Sequence, residues 1–349
     1  MPLRRVQQHP RRHRGRRAPV TRGGVVDTFE YKRPGTVREA LRLIATHPDA
    51  EIIAGGTDLV TLLRDRVRTP ARLVDINGLP LDGLRWSRDG VRIGALCRNA
   101  VDDPRLAAAY PVLVRALRSG ASPQIRNRAT FGGNLLQGVR CPYFRLPEFA
   151  CGRREPGTGC AAIEGDGRLL GIFGTSAACI AVHPSDCAVA LLALDATVVV
   201  EGARGTRRIP VGDLHRLPGD TPHVEHALRD GELVVAVEVP ASPFAARSTY
   251  VKFRERASYA FALASAAVAV HSERGVVRDA RVCLGGVAPK PWRAHTAESA
   301  LRGRRLDAAA IEAAAEAATA GAAPRPDNAY KVELVRGVVR RALTELLVK

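Results

Sequence analysis

The sequence predicts a soluble, mixed α/β protein with a sizeable core, and three observations carry that prediction. With 349 residues, 46% hydrophobic and 25% charged, the chain has a globular composition and length enough for one large domain or two ordinary ones. From Val26 onward, short β-like runs alternate with helical patterns. No run approaches the roughly 18–20 uninterrupted apolar residues of a membrane span. The 32 Gly, 23 Pro and 7 Cys residues follow no short period, which excludes collagen-like and disulfide-scaffold classes.

The elements follow in order. Residues 29–31 read as extended, and Arg33-Pro34-Gly35-Thr36 turns the chain into a helix. Thr36 and Glu39 stand at capping-box spacing, and Ala40, Leu41, Leu43 and Ile44 supply the apolar face. Residues 51–54 form a short strand running into Gly55-Gly56, after which Thr57-Asp58 opens a helix over 59–66. Strands follow at 72–75, 84–86 and 91–94, cut by Gly and Asp turns. A helix covers 106–118, with Pro111 marking a break or a fresh start.

From Gly132 to about Ser176 the chain is rich in Gly, Pro and Arg, with little periodicity between 142 and 167. A loop this long inside a compact domain is functional or disordered. Order resumes with a helix over 186–194 and a strand over 196–201. Residues 206–245 are loop-rich, with a strand at 233–239 near their end. A β-run near 250–253, an Ala/Val-rich stretch over 260–270 and a strand over 276–284 follow. The last sixty residues are largely helical, with Asp307 as an N-cap and an amphipathic final helix over 330–347. There is no internal repeat.

A net charge of +18 looks like a nucleic-acid signature, but its distribution argues otherwise. Residues 1–24 carry eight arginines and no acid, so the remaining 325 residues hold only +10, with both signs mixed. No basic stripe interleaved with aromatics appears there, so no nucleic-acid partner is expected. Residues 1–24 read as a disordered basic extension. Their Arg-Arg pairs lack the apolar run of an export signal. With Met1 the only methionine, an over-extended gene start also fits.

Two glycine turns stand out. Ile52-Ile53-Ala54-Gly55-Gly56-Thr57-Asp58-Leu59 is strand, turn and helix start; Thr130-Phe131-Gly132-Gly133-Asn134 is a second such turn, preceded by Arg126-Asn127-Arg128. Glycines let a backbone approach an oxygen-rich ligand, and N–H groups at a helix start favour an anion. The spacing is neither the Rossmann fingerprint nor a Walker loop. A tight structural turn is the bland alternative for each. Two anion-friendly turns together suit a ligand with a pyrophosphate held from two sides.

Cys141, Cys151, Cys160 and Cys179 fall within 39 residues, with gaps of nine, eight and eighteen. No Cys-x-x-Cys knuckle is present, so the spacing alone leaves disulfides, structural zinc and an iron–sulfur cluster open. Cys97, Cys187 and Cys283 lie in apolar strand or helix contexts and read as buried hydrophobes, which with the missing signal peptide argues for a reducing compartment. Arg140, Arg145, Arg153 and Arg154 flank the four clustered cysteines. No Ser-His-Asp set, His-Glu-x-x-His or paired carboxylates appear, and His183 reads as a satisfied loop histidine.

Ala54-Gly55-Gly56-Thr57-Asp58-Leu59, then Ile125-Arg126-Asn127-Arg128-Ala129-Thr130-Phe131-Gly132-Gly133-Asn134-Leu135, then Pro184-Ser185-Asp186 resemble the FAD-binding medium subunit of the xanthine dehydrogenase / carbon monoxide dehydrogenase group of molybdenum hydroxylases. The segments Arg140 to Arg145 and Arg154 to Cys160 are similar to the extra iron–sulfur loop of periplasmic-type aldehyde oxidoreductases. The resemblance implies an α+β fold. Its FAD-binding domain, over 25–245, has two parts of the vanillyl-alcohol oxidase / p-cresol methylhydroxylase type and carries the iron–sulfur loop at about 138–180. A smaller C-terminal flavoprotein domain covers 246–349.

By position, Ala54, Gly55, Gly56, Thr57, Asp58 and Leu59 would hold the FAD pyrophosphate from one side, with Ile53 just before them also at the cofactor. Thr130, Gly132, Gly133 and Asn134 would line the other side. Asp186 matches an FAD contact, and Leu233 and Lys252 match more loosely; taken alone, Lys252 reads as a surface cation. The four clustered cysteines would hold a [4Fe–4S] cluster, its negative charge offset by the flanking arginines. FAD would be non-covalent, with no catalytic side chain on this subunit.

The resemblance further implies that a large molybdenum-cofactor subunit oxidises an aldehyde and a small [2Fe–2S] subunit relays the electrons. FAD here would pass them to an external acceptor. The location would be cytoplasmic, or periplasmic if a partner carried the chain across the membrane. An FAD subunit of xanthine dehydrogenase or of an aromatic acyl-CoA reductase, a free-standing flavin oxidase, and a zinc-stabilised basic binding protein are the alternatives.

Overall fold

The computed structural model describes residues 26–347. The basic extension expected over 1–24 lies outside the described residues. The architecture is α+β with three sheets. The first is parallel, in the order Glu30–Lys32, Arg72–Asp75, Ala50–Ile53. Its first crossover helix, Val37–Ala45, starts where the sequence puts it: Thr36 Oγ1 accepts the N–H of Glu39 at 3.1 Å. The Glu39 carboxylate reaches back to the N–H of Gly35, one residue earlier than a standard capping box.

The second sheet is antiparallel, in the order Leu84–Ser87, Gly90–Gly94, Leu233–Pro240, Thr197–Gly202, Gly205–Pro210. Gly205–Pro210 corrects the loop-rich reading of 206–245. This edge strand buries only Ile209 and otherwise shows Thr, Arg and Pro, so no apolar alternation announces it. Pro111 makes a fresh start: Pro104–Ala109 and Pro111–Ser119 are separate helices. Between them Tyr110, at φ −137° and ψ 61°, leaves the helical region as residues before proline do.

The third sheet is antiparallel, in the order Trp292–Arg293, Val276–Gly285, Ala264–Glu273, Ser248–Phe253. Helices His295–Leu301, Ala308–Ala317 and Tyr330–Leu347 pack together, with His295–Leu301 and Tyr330–Leu347 against this sheet. Every residue of the helix Asp186–Ala193 is buried. It packs on the helix Pro111–Ser119 and on strands Ala264–Glu273 and Val276–Gly285, and its side chains share one core with Val198 and Val237 of the second sheet. A helix apolar on all sides belongs in such a place.

The long segment between the second glycine turn and Asp186 is ordered. It has one helical turn, Pro142–Arg145, and its own small core of Cys141, Tyr143, Phe144, Cys151, Leu170, Cys179 and Ile180 against Leu62 and Val67. Among the described residues, no helix is long and apolar enough to cross a membrane.

Candidate functional site

The fold brings the two glycine turns into contact. The carbonyl of Arg128 lies so close to Gly55 that a Cβ there would stand 2.0 Å from its oxygen. Gly56 has φ +74°, a conformation that favours glycine. Among the described residues, the N–H groups of Gly55, Gly56, Thr57 and Asp58 meet no protein acceptor. The first turn thus offers a row of unpaired donors ahead of the helix Leu59–Arg64. Ile53 ends the strand before it, and Asn77 Nδ2 holds the carbonyl of Ala54 at 2.7 Å.

The second turn spends its amides differently. Phe131 donates to Cys97 O, Gly132 to Ala95 O at 2.9 Å, and Gly133 to Thr130 Oγ1, which caps the helix Phe131–Leu135. Thr130, Gly132 and Gly133 therefore form a close-packed wall. Asn134 Oδ1 accepts from Ser185 Oγ at 2.5 Å and from Gln137 Nε2 at 3.1 Å.

Asp58 ties the first turn to the cysteine segment. Its side chain makes no cap bond. Instead Oδ1 meets Arg140 at 2.9 Å and Arg145 at 2.8 Å, while Oδ2 accepts the N–H of Gly138 at 2.7 Å. Burial lowers the Arg140 pKa to about 10 against the pull of Asp58.

Asp186, Tyr250 and Lys252 form a second polar knot. Asp186 Oδ1 accepts from Tyr250 Oη at 2.6 Å, and Oδ2 lies 2.7 Å from Lys252 Nζ. The Lys252 side chain is only 3% exposed, so the surface-cation reading is wrong: the ammonium is buried against a carboxylate and the Ser119 carbonyl. Leu233 is buried in the core under the first sheet, beside Val74 and Val199.

All four clustered cysteines line one cavity, walled by Val139, Tyr143, Phe144 and Ala181. Cys151 and Cys160 face each other across an antiparallel bridge closed by Gly152 N–H to Gly159 O. Burial pushes the Cys141 thiol up to about 12, against backbone N–H groups of Phe144 and Tyr143. Cys160 is likewise raised by burial, opposed by N–H groups of Ala162 and Ile163. None of the seven cysteines is in a disulfide. Among the described residues, no three His, Cys, Asp or Glu side chains converge on a single metal-ion position.

The flanking arginines divide their work. Arg140 and Arg145 go to Asp58, and Arg154 holds the carbonyls of Tyr143 and Phe144. Only Arg153 has a hydrogen bond to one of the four thiols, with its NH2 nitrogen 3.8 Å from Cys179 Sγ. The four arginines flank the cysteines in sequence, but three of them are spent on Asp58 and on backbone carbonyls.

Arg153 also lines a second cavity, with His183, His215 and Glu225. The Nε2 atoms of His183 and His215 both approach Leu135 O, at 3.2 and 2.8 Å, so each nitrogen carries the proton and donates. Burial holds His183 well below its usual pKa and His215 at about 4, so both are neutral at pH 7. Among the described residues each Nδ1 is buried without a partner, so His183 is only half satisfied, through Nε2.

A family model described as the FAD binding domain in molybdopterin dehydrogenase matches residues 27–242, and one described as the CO dehydrogenase flavoprotein C-terminal domain matches residues 248–346. The chain belongs to the FAD-binding medium subunits of the xanthine and carbon monoxide dehydrogenase family. It is 44% identical over 321 residues to the aldehyde oxidoreductase FAD-binding subunit PaoB of Escherichia coli (strain K12), spanning 91% of this chain and 98% of that one. The carbon monoxide dehydrogenase medium chain of Hydrogenophaga pseudoflava is 29% identical over 323 residues, 90% of this chain and 96% of that one. A solved structure of carbon monoxide dehydrogenase from that organism, lacking the Mo-pyranopterin moiety of the molybdenum cofactor, superposes with a TM-score of 0.73 at 29% identity, covering 93% and 99% of the two chains.

As a medium subunit, the chain is a flavoprotein component of molybdenum hydroxylase oxidoreductases. Several residues around this medium subunit's glycine turns carry no local sequence signal. Asn77 and Arg98, which bind the Ala54 and Arg128 carbonyls, and His215 and Glu225 in the second cavity meet their partners only through long-range packing.

Proposed function

We propose that this chain is the FAD- and [4Fe–4S]-carrying electron-transfer subunit of a molybdenum-dependent aldehyde oxidoreductase. Its partners would be a small [2Fe–2S] subunit and a large molybdenum-cofactor subunit, and it would hand electrons to an external acceptor. The observation that carries the reading is 44% identity along nearly the whole of an aldehyde oxidoreductase FAD-binding subunit. Residues 25–245 would form the FAD-binding part and 246–349 the C-terminal flavoprotein part.

The residues present fit both groups. For FAD, the unpaired N–H groups of Gly55 to Asp58 suit a pyrophosphate, and Ile53, Ala54 and Leu59 flank them. Thr130, Gly132, Gly133 and Asn134 would supply the facing wall. Asp186, Leu233 and Lys252 would be further FAD contacts, with Lys252 and Tyr250 fixing the Asp186 carboxylate. FAD, when bound, supplies the redox chemistry; the chain orients it and shields it from water.

For the cluster, Cys141, Cys151, Cys160 and Cys179 ring a cavity instead of converging on one point. A single zinc would draw its sulfurs to about 2.3 Å from one centre, whereas a cubane takes one thiolate at each of four separated irons. Burial alone keeps Cys141 and Cys160 as thiols, and the backbone N–H groups of Phe144, Tyr143, Ala162 and Ile163 that oppose it would serve as donors to metal-bound thiolates.

The test is cofactor analysis of the complex purified without oxygen. About one FAD, released by acid, and about four irons with four sulfides on this chain are expected for a cubane held by four cysteines. Serine at any of the four clustered cysteines should remove that iron, while serine at Cys97, Cys187 or Cys283 should leave it in place. One zinc and no sulfide would remove the cluster from the proposal. Turnover of xanthine but not aldehydes by the complex would move the chain to the xanthine dehydrogenase reading.

A further inference from the structure

The Arg153 guanidinium is paired in a way that the fold alone does not require. Its side chain is 4% exposed, in a class of residue seldom buried unless paired. One nitrogen meets Glu225 Oε2 at 3.1 Å, a second meets Cys179 Sγ at 3.8 Å, and Nε is buried with no partner among the described residues. A neutral thiol is a weak acceptor for such a donor. A metal-bound thiolate, which bears negative charge, is a good one.

Glu225 does not belong to Arg153 alone. Its other oxygen lies 3.6 Å from Arg68, which in turn lies 3.8 Å from Glu51 on the strand leading to Gly55. Arg153 also occupies the wall shared by the cysteine cavity and the cavity of His183 and His215, whose rings bond to Leu135 at the end of the second glycine turn. The cation thus stands between the cysteine cavity and the end of the second glycine turn.

We infer that Arg153 is a positioning residue that sets the reduction potential of the cluster in the cysteine cavity, by donating to Cys179 Sγ under the control of the Glu225 counter-charge. This rests on the cluster reading above. Reduction adds one electron and makes or breaks no bond. The added negative charge is stabilised by a buried cation a few ångströms away, because screening there is weak. Removing the cation should therefore lower the midpoint potential. Neutralising Glu225 leaves the cation uncompensated and should raise it.

The experiment is a potentiometric titration of the purified complex followed by EPR, with dithionite as reductant and iron, sulfide and FAD assayed on each sample. Arg153→Met should shift the cluster midpoint to lower potential, and Glu225→Gln to higher potential. Arg153→Lys, which keeps the charge, should lie between Arg153→Met and the wild type. A structural role alone would change iron content without producing opposite shifts. If Arg153→Met loses its iron, Arg153→Lys and Glu225→Gln decide by the same signs. Midpoints unmoved at full iron content, or shifts of the same sign for Arg153→Met and Glu225→Gln, would overturn the inference. A wild-type complex with no sulfide on this chain would instead overturn the cluster reading, and this inference with it.

Discussion

At Gly55 one methyl group would be enough to separate the two halves of the proposed FAD site. The added Cβ would stand 2.0 Å from the Arg128 carbonyl oxygen and 3.1 Å from the Ala129 Cα, backbone atoms that cannot swing aside. Gly55→Ala should therefore cost at least the 1–3 kcal/mol typical of overpacking, and flavin content should fall with stability. Gly83→Ala, where a Cβ meets nothing within 4 Å, is the control. Thermal unfolding and flavin absorbance check both; lost flavin at an unchanged Tm would put the methyl against the ligand rather than against Arg128. A second residue-scale expectation concerns Lys331, fully buried with Nζ 2.9 Å from Leu169 O and 2.8 Å from Gly286 O. Burial lowers its pKa to about 7 from 10.5. A neutral amine has two N–H donors, which matches two carbonyls. Between pH 7 and 10.5 the unfolded state binds the extra proton, so stability should rise with pH across that window. Urea midpoints measured from pH 7.5 to 9.5 should show this rise in the wild type, and Lys331→Met should lose that part of it.

Lys331 is one of several contacts from a single segment, residues 323–331, that grips the loop after the cysteine cavity. Ala323 N–H donates to Ile172 O, Asp327 accepts from Gly167 N–H, and Tyr330 Oη donates to Arg168 O. Asn328 is fully buried, with Nδ2 within 3.3–3.5 Å of the carbonyls of Gly167, Leu170 and Gly171 and Oδ1 accepting from Arg325 N–H. Asn328→Ala should cost about 1–3 kcal/mol, the penalty for leaving buried groups unsatisfied. Amide exchange should accelerate over 163–171; unchanged protection there would mean the loop holds itself. None of this clasp was legible in the sequence, because hydrogen bonds spanning some 160 residues leave no local pattern. The elements themselves were largely legible. Thr36 and Asp307 cap helices through their own side chains where the sequence puts them, and the buried strands Thr197–Gly202 and Leu233–Pro240 carry the Val runs that announced them. The edge strand Gly205–Pro210 was missed because an edge needs no apolar face.

At the scale of the whole molecule, the two family matches divide near residue 245, but the core does not. Tyr250, Ala267 and Cys283 belong to the same apolar cluster as Val198 and Val237, with the helix Asp186–Ala193 between them. Ile172 and Phe173, from the loop after the cysteines, are buried among Val268, Val282 and Val339 of the C-terminal part. Backbone bonds cross as well: Ile172 and Phe173 donate to Val287 O, and His183 donates to Ala288 O. The glycine turns and the four cysteines could be picked out because each motif is local. Their mutual placement could not, since it depends on this shared core and on Asp58 turning from helix cap to loop anchor. A chain cut after residue 245 would leave one side of the Asp186–Ala193 helix bare, remove the Lys252 partner of Asp186 and free the loop from residues 323–331. That fragment should fail to unfold cooperatively and should retain neither flavin nor iron, even though it contains every glycine and cysteine assigned to them. Calorimetry and cofactor assays of the fragment beside the full chain check this. A soluble fragment with a sharp transition and bound FAD would show that the first 245 residues fold alone, and that the shared core is packing rather than a requirement.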